Sequence, residues 1–408
     1  MDEARLRKYA ELLVRTGGNV QKGQPVVIAG AVDDAPFVRL VQEYAFDAGA
    51  SDVFVNWNDD ESTRMWFLRA EDGVFDEAPE WFAQRYDYFD AKGAVYLAVR
   101  SPNPDMLAGV EPNRIKRNTI ASNKSTKEHS SRLMSSALRW SLAAHPSAAW
   151  AKKVFPNLSE AEALEKLWAY VLKGARADGN DPAADWAAHK NNFAKHVNYL
   201  NDKNFSSLRF QNSLGTDLTI GLAKNHIWCG GGGVAKDGIP FFPNLPTEEI
   251  FTMPDRCAAE GRVVASMPLN YKGSLIEDFE IAFWDGRAVS WKAGANEKVL
   301  ADIIETDEGS RRLGEVALVA ESSPISQMKT LFYNTLFDEN ASCHFALGKA
   351  YPTNLRESGG MTEDELIAAG CNDSITHVDF MFGTPDLKIT GTNREGETVF
   401  FDNGEFII

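Results

Sequence analysis

At 408 residues, the chain is long enough for two or three domains with sizeable cores. With 44% hydrophobic and 25% charged residues, it has the composition of a folded globular protein and not of a disordered one. A net charge of −16 argues against a nucleic-acid partner, whose phosphates would be repelled.

Residues 4–16 carry Leu6, Tyr9, Leu12 and Leu13 at helical spacing, and Gly17-Gly18 ends that helix. A short buried strand follows over 25–30, then a helix through Phe37, Leu40, Val41 and Tyr44. Two more strands are read at 52–57 and 94–99. Strand–helix–strand alternation with apolar strands predicts an α/β domain, its parallel sheet covered by helices on both faces. The turn Ala29-Gly30-Ala31-Val32-Asp33 has neither Gly-x-Gly-x-x-Gly nor Gly-Lys-Ser/Thr, so no nucleotide site is read there.

From 128 to 200 the pattern becomes helical, at 133–142, 161–172 and 185–199, with breaks at Pro146, Pro156 and Pro182. His129, His145, His189 and His196 fall in or beside this region and read as solvated or capping residues. Trp168 and Trp186 read as packing residues. Residues 1–205 are therefore expected to form an N-terminal α/β domain with a helical segment at 128–200.

After Asn204 the chain turns to short strands, at 207–210, 217–222, 262–266 and 280–284. Asp285-Gly286 and Glu395-Gly396 have hairpin-turn chemistry, the second before a closing strand at 398–401. The four glycines at 230–233 have no helix start behind them, which disfavours a phosphate cradle and predicts a mobile or tightly turned loop. Residues 206–408 are expected to form a β-rich α+β domain that carries the functional site.

Cys229, Cys257, Cys343 and Cys371 form no Cys-x-x-Cys pair, so no disulfide framework is expected and a reducing cytoplasm fits. The opening Asp2-Glu3-Ala4-Arg5 has no apolar signal core, and no stretch approaches the roughly 18 apolar residues of a membrane span. A cytoplasmic protein without a membrane partner is expected.

The chemistry concentrates near the C-terminus. Within Ser374–Phe382 polar and hydrophobic residues alternate, so His377 and Asp379 leave one face of a strand while Val378 and Phe380 leave the other. An imidazole and a carboxylate side by side on a rigid strand make half of a divalent-metal site. Upstream, Glu315 interrupts the apolar run 313–319, where a carboxylate is costly without a partner. Glu249 does the same within 244–254. Cys343 adjoins His344, but strand neighbours point opposite ways, so it reads as a buried thiol lining the site and not as a nucleophile.

Four stretches resemble the family of aminopeptidase T, aminopeptidase S and PepS, two-metal aminopeptidases. They are Asn-Leu-Pro-Thr-Glu-Glu-Ile-Phe-Thr-x-Pro (244–254), Leu-Gly-Glu-Val-Ala-Leu-Val (313–319), Asp-Glu-Asn-Ala-Ser-Cys-His-Phe-Ala-Leu-Gly-x-Ala-Tyr (338–351) and His-Val-Asp-Phe-Met (377–381). The opening segments 9–14 and 20–28 are similar as well, so the likeness covers nearly the whole chain. It implies Glu249, Glu315, Glu339, His344, His377 and Asp379 as metal ligands, Tyr351 as a catalytic side chain, and a homodimer.

Six such ligands, one carboxylate bridging, suit two divalent ions about 3.5–4 Å apart. Zinc, cobalt, manganese and magnesium all accept this donor set. Glu315 and Glu249 are both candidates for the general base. Tyr351 would donate to the oxyanion. The expected activity is release of N-terminal amino acids from peptides with a free N-terminus. The rival readings are another two-metal amide hydrolase, a dipeptidase or amidase, and a non-catalytic metal-binding scaffold.

Overall fold

The computed structural model describes residues 2–103, 105–271 and 273–408. The chain forms two compact units, Met1–Ala187 with Gly232–Pro246, and Ala188–Gly231 with Thr247–Ile408.

The first unit is built on a five-stranded sheet whose pairings are all parallel. Its order is Asn244–Leu245, Trp140–Ala144, Val95–Arg100, Pro25–Ala31 and Asp52–Asn58. The apolar run Val26-Val27-Ile28 is buried, as a strand covered on both faces requires. Helix Ala35–Asp47 places Phe37, Val38, Val41 and Ala45 in the core. Gly30 permits the contact, because a Cβ there would lie 2.6 Å from Val38 Cγ2.

A segment read as helix differs from the sequence expectation. The segment 133–142 is not one helix: helix Lys127–Met134 stops, Ser136 takes a left-handed φ of 53°, and Trp140–Ala144 is a strand. Trp140-Ser141-Leu142-Ala143-Ala144 contains no β-branched residue, so its strand state comes from pairing with Val95–Arg100 and not from propensity.

In the second unit two antiparallel sheets share a core. The larger has eight strands, in the order Arg287–Lys292, Glu280–Trp284, Pro254–Val264, Asp217–Leu222, Ser207–Gln211, Lys388–Asn393, Gly396–Asp402 and Glu405–Phe406. The smaller has five: His377–Met381, His344–Gly348, Leu313–Leu318, Ile250–Thr252 and Cys229–Gly230. Asp285 and Gly286, both with positive φ, close the hairpin in which Trp284 pairs with Arg287.

Aromatic rings fill the space between these sheets. Phe210 meets Phe345 at 5.2 Å between centroids, and Phe279 meets Phe380 at 5.8 Å. Each fully buried Phe contributes roughly 1.5–3 kcal/mol. Val316, Phe345, Leu347, Val378 and Phe380 all belong to this core. The alternate residues of the same three strands face the other way, and they are the ones that carry chemistry.

Candidate metal centre

Strand register assembles the site. Ala346 pairs with Glu315 on one side and Asp379 on the other, so these three side chains form a row across one sheet face. His344 lies two residues from Ala346 and His377 two residues from Asp379, so both imidazoles share that face. His377 pairs with Gly348, which has a φ of 106° and no room for a side chain: a Cβ would stand 2.2 Å from the Thr376 carbonyl. Glu249 enters from the residue before strand Ile250–Thr252, which pairs with the Glu315 strand.

Both imidazoles are oriented by backbone carbonyls. His344 donates Nδ1–H to Ser342 O at 3.1 Å, and His377 donates Nδ1–H to Lys349 O at 2.7 Å. That leaves each Nε2 for the carboxylates. His344 Nε2 is 3.1 Å from Glu249 and 3.6 Å from Glu315, while His377 Nε2 is 3.2 Å from Asp379 and 3.8 Å from Glu315. Ligand-type atoms thus fall into two groups, each within 4.8 Å: Glu249–Glu315–His344 and Glu315–His377–Asp379. Glu315 is common to both.

Glu339 ends helix Thr335–Glu339 and lies outside both groups. It does share a small cavity with Asp379, and burial together with the Glu249 and Asp379 charges pushes its carboxyl well above the ordinary range. Burial and then the Glu249 carboxylate raise Glu315, against the pull of His344. Burial opposes charge on His344, yet Glu249 and Glu315 hold its pKa well above normal. Burial likewise opposes charge on His377, and Asp379 wins, lifting it to about 9. Burial would raise Asp379, but the charge and hydrogen bond of His377, with the charge of His344, together lower it. Without ions, protons on the imidazoles neutralise part of this carboxylate surplus.

The Tyr351 ring stands 4.9 Å from the His377 ring and 6.2 Å from Phe251. Burial, then the nearby Glu315 and Asp379 charges, raises its hydroxyl pKa, so it stays a protonated donor. Cys343 points into the core on the opposite sheet face, which corrects the expectation that it lines the site. Its sulfur bonds both the N–H and the carbonyl of Val319 at 3.3 Å, and burial pushes the thiol to about 12.

The four helical-region histidines are not solvated or capping groups. His129 pairs with Asp90 at 3.0 Å, and His145 with Asp34 at 2.8 Å. His189 donates to Thr247 O at 2.8 Å, and His196 stacks on Phe406 at 4.2 Å. An imidazole has an apolar ring to bury and a nitrogen to satisfy, and the spacing of apolar residues along the chain conceals both needs. The floor residue Ala346 and the carbonyl acceptors of Ser342 and Lys349 leave no mark in the sequence, because a small side chain and a backbone group carry no pattern.

The profile of the thermophilic metalloprotease family M29 matches residues 2–406. This chain belongs to that family. Its relatives within it include aminopeptidase AmpS of Bacillus subtilis (strain 168), 43% identical over 98% of each chain. Aminopeptidase PepS of Streptococcus thermophilus is 42% identical over 99% of this chain and 98% of its own. Aminopeptidase T of Thermus aquaticus is 40% identical over 97% and 96% respectively. The solved structure of wild-type AmpT from Thermus thermophilus superposes with a TM-score of 0.93 at 37% identity, covering both chains fully. A 2,5-dihydroxypyridine dioxygenase from Pseudomonas putida KT2440 shares the fold alone, at a TM-score of 0.54 and 13% identity. The M29 chain described here is accordingly a metal-dependent aminopeptidase, a hydrolase of peptide bonds, on a mixed α/β fold.

Proposed function

We propose that Glu249, Glu315, Glu339, His344, His377 and Asp379 hold two divalent ions, and that the site releases the N-terminal residue of a peptide. The observation that carries this reading is the position of Glu315. One of its oxygens faces His344 at 3.6 Å and the other faces His377 at 3.8 Å, the disposition of a bridging carboxylate. The donor set fits: two imidazoles with Nδ1 already engaged, and more carboxylate charge than the protein itself neutralises. Bound there, zinc, cobalt, manganese or magnesium would acidify water and polarise a carbonyl.

The side chains divide the remaining work. With ions bound, Glu315 would be occupied through both oxygens, which would leave Glu249 the better placed of the two base candidates to take the proton of the attacking water. Tyr351 donates its O–H to the oxyanion as it forms. A free α-amine in its neutral form would offer one of those ions a nitrogen donor that a blocked N-terminus lacks, which favours exopeptidase action. A cytoplasmic homodimer is part of the same reading. Four free cysteines support the cytoplasmic part of it, and the homodimer rests on the family likeness.

Amino-acid p-nitroanilides with a free amine should be hydrolysed and their N-acetylated counterparts spared. Chelation should abolish turnover, and added zinc or cobalt should restore it. Equal cleavage of blocked substrates would replace the aminopeptidase site with a general amidase. Light scattering at micromolar concentration checks the dimer, and a monomeric mass would exclude it.

A further inference from the structure

Four of the six proposed ligands need no special support. Glu315, His344, His377 and Asp379 sit inside three strands tied to one another by ladder hydrogen bonds. Glu249 and Glu339 do not. Glu249 stands just before a three-residue strand, and Glu339 is the last residue of a five-residue helix. Their placement needs another source of rigidity.

That source is the amide of Asn340, which is fully buried. Its Oδ1 accepts the backbone N–H of Glu248 at 2.5 Å, and its Nδ2 donates to Leu336 O at 2.8 Å. The first bond joins residues 92 positions apart, one adjacent to Glu249 and the other adjacent to Glu339. The second locks the amide onto the turn that carries Glu339. On the far flank Asp338 accepts the N–H groups of Phe332 at 2.6 Å and Asn334 at 3.0 Å, fixing the start of the same short helix. Asp338 thus holds Glu339's helix to its own loop, and Asn340 ties it to the Glu249 segment.

We infer that Asn340 is a positioning residue that holds the Glu248–Glu249 segment in place, and with it sets the affinity of the ion on the Glu249 side of the site. This rests on the two-ion reading and adds to it an asymmetry. The group Glu315–His377–Asp379 lies wholly on paired strands, whereas the group Glu249–Glu315–His344 includes one residue, Glu249, whose segment is tied down by the Asn340 amide. Asn340 touches no reacting atom, and its effect passes through the Glu249 carboxylate.

The test is metal titration of the purified protein by competition with a chromophoric chelator, using zinc alone, with stoichiometry read independently of turnover. Asn340→Ala should weaken one ion by about 10–100-fold, the usual effect of losing an outer hydrogen bond, and leave the other within about threefold. Should Asn340→Ala not fold, Asn340→Gln keeps the amide but displaces it by a methylene, and the same one-ion loss is expected.

Asn201 supplies the structural control. Its half-buried amide exchanges bonds with both the N–H and the carbonyl of Trp228, at 2.9 and 3.0 Å, and not with the segments that carry Glu249 or Glu339. Asn201→Ala should lower thermal stability with metal binding intact. Native affinity for both ions in Asn340→Ala, or equal weakening of both, overturns the inference. Fewer than two ions in the unmutated protein would instead overturn the two-ion reading, and this inference with it.

Discussion

Glu315 and Asp379 face each other across Ala346, which pairs with both and is fully buried beneath them. The small side chain leaves the space above the sheet open to the two carboxylates. Ala346→Leu would extend three further carbons into that space. We expect metal affinity to fall about 10–100-fold, with an overpacking cost of about 1–3 kcal/mol. Calorimetric metal titration beside thermal unfolding checks both figures. Unchanged affinity in a folded Ala346→Leu protein would show that the row does not form the floor of the site.

Loading metal should release protons. His377, lifted to about 9 by Asp379 against its burial, and His344, held well above the ordinary imidazole range by Glu249 and Glu315 against its burial, should carry protons in metal-free protein at neutral pH. A ligating imidazole must be neutral, so binding displaces those protons, and apparent affinity should rise as pH increases toward 9. The metal-free protein should show the opposite trend. Imidazolium pKa values raised on folding stabilise it fully below about 6.5, and that stability is lost as pH climbs through the raised values. Metal titration in two buffers of different ionisation enthalpy counts the protons, and a count of zero would contradict this charge assignment.

The two faces of these strands should respond differently to mutation. His377→Ala and Asp379→Ala each remove a donor from the site face and should lower metal content and activity together. Cys343→Ser acts on the core face, where the thiol bonds Val319. It should cost about 1–3 kcal/mol of stability for a poorly placed buried hydroxyl while keeping most activity. A Cys343→Ser protein that folds and binds metal yet is inactive would bring back a thiol mechanism.

How much of this could be read beforehand depended on whether a residue's position followed a period. His377 and Asp379 were legible because alternation placed them on one face and Val378 and Phe380 on the other, as in the structure. Glu315 was legible as an anion inside an apolar strand. Glu249, just before its strand, was legible like Glu315 as a carboxylate set among apolar residues, whereas only the family likeness pointed to Glu339, at the end of a short helix where no period operates. Trp140–Ala144 was hidden because partner strands impose its conformation, and Asn244–Leu245 because two residues cannot display a period. The hydrogen bond from Glu248 to Asn340 links segments far apart in sequence, and single-chain patterning carries no information about such a bond.

Tyr351→Phe should separate chemistry from metal binding. The ring packs between His377 and Phe251, and burial beside carboxylates keeps its hydroxyl protonated. That hydroxyl is assigned a contact with the oxyanion, which exists only as the transition state is approached, so its removal should fall on kcat and spare KM. The expected loss in kcat is about 10²–10³-fold, the scale for one oxyanion donor. The phenyl ring still fills the space beside His377, so metal content should be unchanged. Steady-state kinetics and metal analysis on the same preparation decide between roles. Near-native kcat would make Tyr351 a packing residue, and loss of metal would make it a support for the His377 ring. Only a fall in kcat with metal and KM preserved keeps it in the chemistry.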